Sequence, residues 1–188
     1  MRRLAIGGVI GPLAFVTAWV WAGRATPGYS PVNDAISDLA ATHAPERIAM
    51  TFGFVVFGVG VICFGLALRR ARAGPAWISV VATAGFTLAV AATPLGASRD
   101  VAHGVFASLG YVTLAAAPLL AAPNIATAGR AGWVRYSRVT GVLAGACLLA
   151  SALGPAHGLF QRAGLTIGDA WLVAIASQLV VGRALFNP

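Results

Sequence analysis

Two aspartates four residues apart, Asp34 and Asp38, are the first residues in the chain whose type and spacing suggest chemistry. On a helix, both carboxylates would lie on one face, where two like charges are destabilising unless something offsets them. Arginines could pair with them, a cation could bridge them, or one carboxyl could hold a proton and serve as a proton donor. The arginines available for pairing are Arg24, Arg47, Arg99 and Arg162. The pair is therefore a structural ion-pair site, a cation-binding site or a candidate acid.

Asp169 and His103 are ionisable residues inside long apolar stretches. Such a residue in a membrane span is a functional hypothesis by default, although a histidine with satisfied hydrogen bonds is an equal alternative for His103. Asp169 needs a partner, which Arg162, His157 or His103 could supply. Aspartate and histidine are also metal ligands. However, no paired-histidine or cysteine spacing accompanies them, so we expect no metal and no cofactor.

The segment that carries Asp34 and Asp38 has the signals of a short helix. Ser30 is suited to cap a helix whose first residue is Pro31. Apolar side chains then recur at helical spacing, at Val32, Ile36 and Leu39. We expect a short helix at the mouth of the protein, with its apolar side toward lipid or core.

The elements that position these residues are membrane spans. Of the 188 residues, 59% are hydrophobic and 10% are charged, against roughly 25% charged in a soluble domain. This composition excludes an ordinary soluble globular protein, a disordered chain and a nucleic-acid-binding module. Because lipid offers no partner to an open sheet edge, long apolar stretches predict helices. The prediction is an all-α polytopic membrane bundle, a single domain over 1–188, with six transmembrane helices at about 4–23, 48–68, 76–95, 103–122, 139–154 and 165–182.

The arginines predict how this bundle is oriented. Nine of the 13 fall on the side that holds both termini, and four fall on the other side. Since the arginine-rich side of a membrane protein faces the cytoplasm, we expect both termini to be cytoplasmic and the protein to lie in the cell membrane. Topology also accounts for the net charge of +8 without a nucleic-acid partner.

The acids and histidines are distributed in the opposite way. All five acids and all three histidines fall toward the predicted outer side. Acids contribute little to membrane orientation, so topology does not explain this bias. We therefore expect any polar chemistry at the extracytoplasmic end of the bundle.

Several short motifs together resemble a known family. They are Tyr29-Ser30-Pro31, Ile36-Ser37-Asp38-Leu39, Gly53-Phe54, Thr93-Pro94, His103-Gly104 and Gly158-Leu159-Phe160-Gln161-Arg162. The chain resembles a family of small six-span bacterial and archaeal membrane proteins, catalogued as domain of unknown function 998. The resemblance covers most of the chain and implies the six-span fold, but it implies no activity.

Carboxylates, a histidine and aromatic walls around an apolar cavity suit acid–base chemistry on a lipid-soluble substrate. Because aromatic faces stabilise cations, our specific expectation is proton-initiated cyclisation of an isoprenoid, as in membrane terpene cyclases. We assign Asp38 as the proton donor, and Asp34 and His103 as tuning or deprotonating partners. Asp169 supports them. The residues expected to contact substrate are Tyr29, Phe54, Phe106, Arg162, Phe160 and Trp171.

Two other classes of function remain open. One is a non-enzymatic protein that binds or carries a lipid or another small molecule, because intramembrane ionisable residues also mark transport paths. The other is a structural subunit of a larger membrane complex, which the small size and the glycine-rich helix faces allow.

Overall fold

The computed structural model describes residues 1–96 and 98–186. Within these ranges all regular structure is helical, and a 3₁₀-helix, Ile36–Ala40, lies in the longest connection. The α-helices are α1 (Arg2–Ala5), α2 (Gly7–Ala25), α3 (Arg47–Arg70), α4 (Ala76–Ala92), α5 (Asp100–Thr127), α6 (Ala131–Leu153) and α7 (His157–Val180). The prediction of an all-helical protein is confirmed.

Five helical segments are long and apolar enough to cross a membrane: Arg2–Ala25, which joins α1 and α2, and the helices α3, α5, α6 and α7. Helix α4 is shorter, at 17 residues, which is about 25 Å of helix at 1.5 Å per residue. This length still lies within the range of transmembrane helices. The helices are therefore those of a multi-pass membrane protein.

The helices run alternately up and down. Each packs against the next helix along the chain, and α7 returns to pack against α2, which closes the bundle. We call the end where α2 connects to α3, α4 to α5 and α6 to α7 the loop end, and the opposite end the terminus end. Helices α5 and α7 both begin at the loop end and run in the same direction.

Close contact between α2 and α3 depends on glycine. A Cβ atom added to Gly60 would lie 2.7 Å from the carbonyl oxygen of Gly7. A Cβ atom added to Gly11 would lie 3.1 Å from the carbonyl oxygen of Phe57. The glycines thus let two backbones approach closely, as small residues commonly do in membrane bundles.

Two helices begin earlier than their apolar stretches do. Helix α7 begins at His157, not near residue 165, because Gln161 and Arg162 are buried inside the protein at 6% and 7% exposure. Helix α6 begins at Ala131, not near residue 139, and its first turns carry exposed arginines. Arginine side chains can extend from a helix end to the polar interface. The apolar pattern alone therefore underestimates the length of both helices.

The short helix in the connection is present but starts later than the predicted cap at Ser30 implies. Its turn begins at Ile36, and it is a 3₁₀-helix. Residues 31–33 instead form a turn in which the Asn33 backbone N–H donates to the Ser30 hydroxyl oxygen at 3.3 Å. Ile36 and Leu39 are buried, whereas Val32 is exposed. The short helix thus packs two apolar side chains into the bundle and covers its loop end.

Candidate functional site

A narrow cavity lies at the centre of the bundle, lined by α2, α3, α4, α5 and α7, and the 3₁₀-helix contributes Ile36 and Ser37. Its volume is about 60 Å³, which is enough for roughly four to six waters at 10–15 Å³ each. The walls are mainly apolar. The polar lining residues are Ser37, Thr83, Thr87, His103, Tyr111, Gln161 and Asp169. We call this space the central cavity.

Asp169 is the most deeply placed acid. It lies 12 residues after the start of α7, which is about 18 Å along the helix axis. Asp169 therefore lies more than three helical turns inside α7. Asp169 is only 3% exposed, and neither carboxyl oxygen has a hydrogen-bond partner among the described residues. An ionised carboxylate without a partner is costly to bury, so Asp169 requires a proton, a cationic group or water in the cavity beside it.

His103 lies one turn into α5, and its ring is held in one orientation. Nδ1 lies 2.7 Å from the Thr93 carbonyl oxygen. A carbonyl only accepts hydrogen bonds, so Nδ1 carries a proton, and in the neutral ring Nε2 presents a lone pair. Nε2 is buried without a partner in the described part of the chain. His103 thus lines the cavity with one ring nitrogen held by a backbone carbonyl and the other without a partner.

Gln161 joins the 3₁₀-helix to α5 and α7. Its Oε1 accepts the backbone N–H of Ile36 at 2.8 Å, and its Nε2 donates a hydrogen bond to the Tyr111 hydroxyl. Both side chains line the central cavity. The amide therefore fixes the cover of the cavity and a tyrosine in its wall at the same time.

The Gln161–Tyr111 hydrogen bond divides the cavity between the two unpartnered groups. His103 precedes Tyr111 by eight residues on α5, and Asp169 follows Gln161 by eight residues on α7. Because both helices run from the loop end, His103 lies on the loop side of this bond and Asp169 on the terminus side. Each step is roughly 12 Å along a helix axis. The two groups thus line one cavity at different depths in the bundle.

Arg162 holds the connection between α2 and α3 against α7. Its Nη1 donates to the carbonyl oxygens of Pro31 at 2.8 Å, Asp34 at 3.0 Å and Gly158 at 2.9 Å. Its Nη2 donates to the Tyr29 hydroxyl. The guanidinium carbon also lies 5.4 Å from the Trp19 ring centroid and 5.3 Å from the Tyr29 ring centroid. These hydrogen bonds go to carbonyls and a hydroxyl rather than to the Asp38 carboxylate, and Arg162 lies outside the cavity lining.

Tyr29 takes part in this cluster as a neutral side chain. Burial raises the pKa of its hydroxyl from 10.0 to about 12, although the neighbouring Arg162 guanidinium acts in the opposite direction. The hydroxyl is therefore protonated at neutral pH. It donates to the Ala35 carbonyl oxygen at 2.8 Å while it accepts from Arg162. Tyr29 is not among the residues that line the central cavity.

Asp34 and Asp38 stabilise the local backbone. An Asp34 carboxylate oxygen accepts the Ser30 backbone N–H at 2.7 Å, and an Asp38 carboxylate oxygen accepts the Ala35 backbone N–H at 2.9 Å. Asp38 is exposed, and neither residue lines the central cavity. The structure therefore does not bring this pair together with His103 and Asp169. Their catalytic roles remain predictions from the sequence.

The predicted aromatic contacts divide into two groups. Phe54 and Phe106 line the central cavity, whereas Phe160 and Trp171 do not. Phe160 is 37% exposed. Trp171 is fully buried, and its Nε1 donates to the Ser137 hydroxyl at 2.9 Å, which connects α7 to α6. Trp171 therefore serves the packing of the bundle.

Four important lining residues were not among the predicted site residues: Phe15, Phe57, Tyr111 and Gln161. Gln161 could have been found, because a glutamine beside an arginine at the edge of an apolar stretch needs partners when buried. The two phenylalanines carry no comparable signal, since aromatic residues are common throughout membrane helices. Tyr111 is one of three hydroxyl side chains in its apolar stretch, with Ser108 and Thr113, and only its contact with Gln161 distinguishes it.

Within the described ranges, no group of three or more histidine, cysteine or acidic side chains is arranged to hold a metal ion. Asp169 and His103 by themselves are too few to make such a group. Both cysteines, Cys63 and Cys147, are free thiols. The polar groups that the described lining presents to the cavity are carboxyl, imidazole, phenol, amide and hydroxyl groups.

Comparisons with known proteins give a family but no activity. No curated protein and no solved structure matches the chain. One family's sequence model matches residues 9–178, which is most of the chain and includes His103, Tyr111, Gln161 and Asp169. The chain belongs to this family, which is described as "Protein of unknown function (DUF998)".

Proposed function

We propose that this protein is an integral membrane enzyme that performs acid–base chemistry on a lipid-soluble substrate. The observation that carries the proposal is the central cavity, where His103 Nε2 and both Asp169 carboxyl oxygens are buried without partners. Unpartnered polar atoms are costly to bury. Strained or unsatisfied groups of this kind are concentrated at functional sites.

The most specific reaction that fits is proton-initiated cyclisation of an isoprenoid. In its neutral form, Asp169 would donate a proton to a terminal alkene or epoxide of the substrate. His103 Nε2 would remove a proton from the cyclised cation, and a proton returned to Asp169 completes the cycle. An extended chain places these two events at different atoms, which suits two groups on different helices that line one cavity. This moves the donor role from Asp38 to Asp169.

The cavity walls suit a cationic intermediate. Phe15, Phe54 and Phe57 form one cluster, with ring centroids 5.6 Å apart for Phe15 and Phe54 and 5.4 Å apart for Phe15 and Phe57. All three line the central cavity. Aromatic faces attract cations by roughly 2 kcal/mol or more where water is excluded. The remaining apolar walls would keep water from quenching the cation.

A second candidate, binding without turnover, is favoured by the size of the cavity. A volume of about 60 Å³ is well below the roughly 300–1,000 Å³ of sites that enclose drug-sized ligands. A small molecule could bind with little rearrangement, whereas an isoprenoid requires the helices to separate. On this alternative, Asp169 and His103 would bind a polar or cationic ligand and transfer no proton.

Turnover by purified protein in lipid nanodiscs tests the proposal. Farnesylated substrates, with and without a terminal epoxide, are incubated with wild-type protein and with the Asp169→Asn, His103→Gln and Asp38→Asn variants, and isomeric products are separated by chromatography. We expect Asp169→Asn and His103→Gln to lose about 10²–10⁴-fold in rate. Asp100→Asn is the matched control, because Asp100 is exposed and accepts the Gly96 backbone N–H at 2.9 Å.

Two outcomes would change the assignments. Loss of turnover in Asp38→Asn alone would return the donor role to Asp38. No product from wild-type protein, with a ligand retained by wild type and lost in Asp169→Asn, would favour the binding protein. The cell membrane as the location, and a loop end that faces outward, belong to the same proposal and are tested by labelling a cysteine introduced at exposed Ser98.

A further inference from the structure

A second, larger hollow adjoins the central cavity on its lipid side. Helices α5 and α6 enclose a groove of about 540 Å³ that extends from Ser108 to Leu119 on α5 and from Gly141 to Ala152 on α6. Twelve residues of helix span about 17 Å. Its lining is apolar apart from Ser108 and the Tyr111 hydroxyl. We call it the α5–α6 groove.

Tyr111 connects the two spaces. It lines the α5–α6 groove and also the central cavity. Its ring is therefore the wall that they share, and Gln161 holds its hydroxyl by a hydrogen bond. Breaking this one bond would free the side chain that stands between a lipid-facing groove and the polar groups inside the bundle.

We propose that the α5–α6 groove is the site where an isoprenoid chain enters from the bilayer, with Tyr111 as the gate to the central cavity. This inference rests on the proposed function for the identity of the chain. The difference in volume supports it, because the groove has room for the chain while the central cavity has room only for a few atoms.

Gly145 on α6 leaves space in this groove. A Cβ atom added to Gly145 would meet only the Ala115 side chain, at the ordinary contact distance of 3.7 Å. A larger side chain at this position would therefore project into the groove without disturbing the backbone. Gly85 on α4 is a matched control, because it is exposed and has no atom within 4 Å of an added Cβ.

Photo-crosslinking tests the inference without requiring turnover. The probe is farnesol with a photoreactive diazirine in its chain, used on full-length protein in nanodiscs, and a diazirine-bearing hexadecanol is the straight-chain comparison. Labelled positions are read by peptide mass spectrometry. We expect the farnesol probe to label 108–119 and 141–152 severalfold more than the hexadecanol probe does.

The variants extend this test. Gly145→Leu should reduce farnesol labelling of the groove severalfold, and Gly85→Leu should leave it unchanged. Ala152→Phe, at an exposed position of the groove, is a second variant that should obstruct the groove, and it serves if Gly145→Leu does not fold. In the Tyr111→Ala variant, we expect the farnesol probe to label the α3 and α7 residues of the central cavity as well.

The inference would be overturned if both probes labelled the groove equally, or if labelling were unchanged in Gly145→Leu and Ala152→Phe. In either case the groove would hold only bulk lipid. Absence of inward labelling in Tyr111→Ala would remove the gate. The proposed function can fail independently of this inference. If Asp169→Asn and His103→Gln keep full turnover while the groove is still labelled, the acid–base assignment is wrong and the entry site is retained.

Discussion

The side-chain carbonyl of Gln161 accepts the backbone N–H of Ile36 at 2.8 Å, across 125 positions of sequence. This bond fastens the 3₁₀-helix over the central cavity, and the other end of the same amide donates to Tyr111. The side chain is 6% exposed, so water does not replace it readily. One residue therefore links the cover of the cavity to the tyrosine in its wall.

Replacing Gln161 by leucine should destabilise the protein. The change leaves the buried Ile36 N–H without an acceptor, which costs roughly 1–3 kcal/mol. Unfolding in mixed detergent micelles, followed by circular dichroism, measures this loss. Gln178→Leu is the control, because Gln178 is partly exposed and accepts only a 3.3 Å hydrogen bond from Arg183. Equal stability of the two variants would show that the Gln161 bond contributes nothing to folding.

Arg162→Lys should loosen the connection that carries Asp34 and Asp38 although the charge is kept. A lysine has a single ammonium group and cannot reproduce a guanidinium that donates to three carbonyls and a hydroxyl. We expect amide hydrogen exchange at 33–38 to become at least roughly tenfold faster, which corresponds to about 1.4 kcal/mol.

The matched control for Arg162→Lys is Arg24→Lys, because Arg24 is exposed at the same end of the bundle. Its exchange rates at 33–38 should equal those of wild type. If Arg162→Lys also matched wild type there, the other contacts of the connection, such as the Gln161 bond to Ile36, would be enough to hold it, and the guanidinium would have no part in it.

The sequence predicts the fold well because apolar length is a local property. Each span can be recognised within about 20 residues, because the thickness of the bilayer sets the length of a transmembrane helix. The same reasoning identified His103 and Asp169, because an ionisable residue inside an apolar stretch is visible without any partner. These two residues do line one cavity.

The rest of the site depends on contacts that no local pattern contains. Asp34 and Asp38 were chosen because a helix would align their charges, but their carboxylates bind nearby backbone N–H groups instead. Aspartate side chains often compete with helix formation in this way. The role of Gln161 requires partners on two other elements, which only the fold brings together.

Gly60→Ala should weaken the contact between α2 and α3. The added methyl group would lie 2.7 Å from the Gly7 carbonyl oxygen, so the two helices must separate. Overpacking of this kind costs roughly 1–3 kcal/mol. Gly104→Ala on α5 is the control, because no atom lies within 4 Å of its added Cβ. Thermal unfolding in detergent compares them, and a Gly60→Ala variant as stable as Gly104→Ala would contradict this packing.

Tyr29 should make the stability of the protein fall at high pH. Its pKa is raised from 10.0 to about 12 in the folded protein, mainly by burial. The unfolded chain therefore releases the phenol proton first as the pH rises. The stabilising contribution is complete below pH 10.0 and is lost as the pH rises through about 12.

Spectroscopic titration of folded protein measures this directly. The increase in tyrosinate absorbance that disappears in Tyr29→Phe gives the Tyr29 titration, and its midpoint should lie near 12. Tyr29→Phe should also make the free energy of unfolding less dependent on pH between 10.0 and 12, and it should speed exchange at 33–38 because Arg162 loses an acceptor. A midpoint near 10.0 would instead mean that water reaches the hydroxyl, and that the connection between α2 and α3 is open in solution.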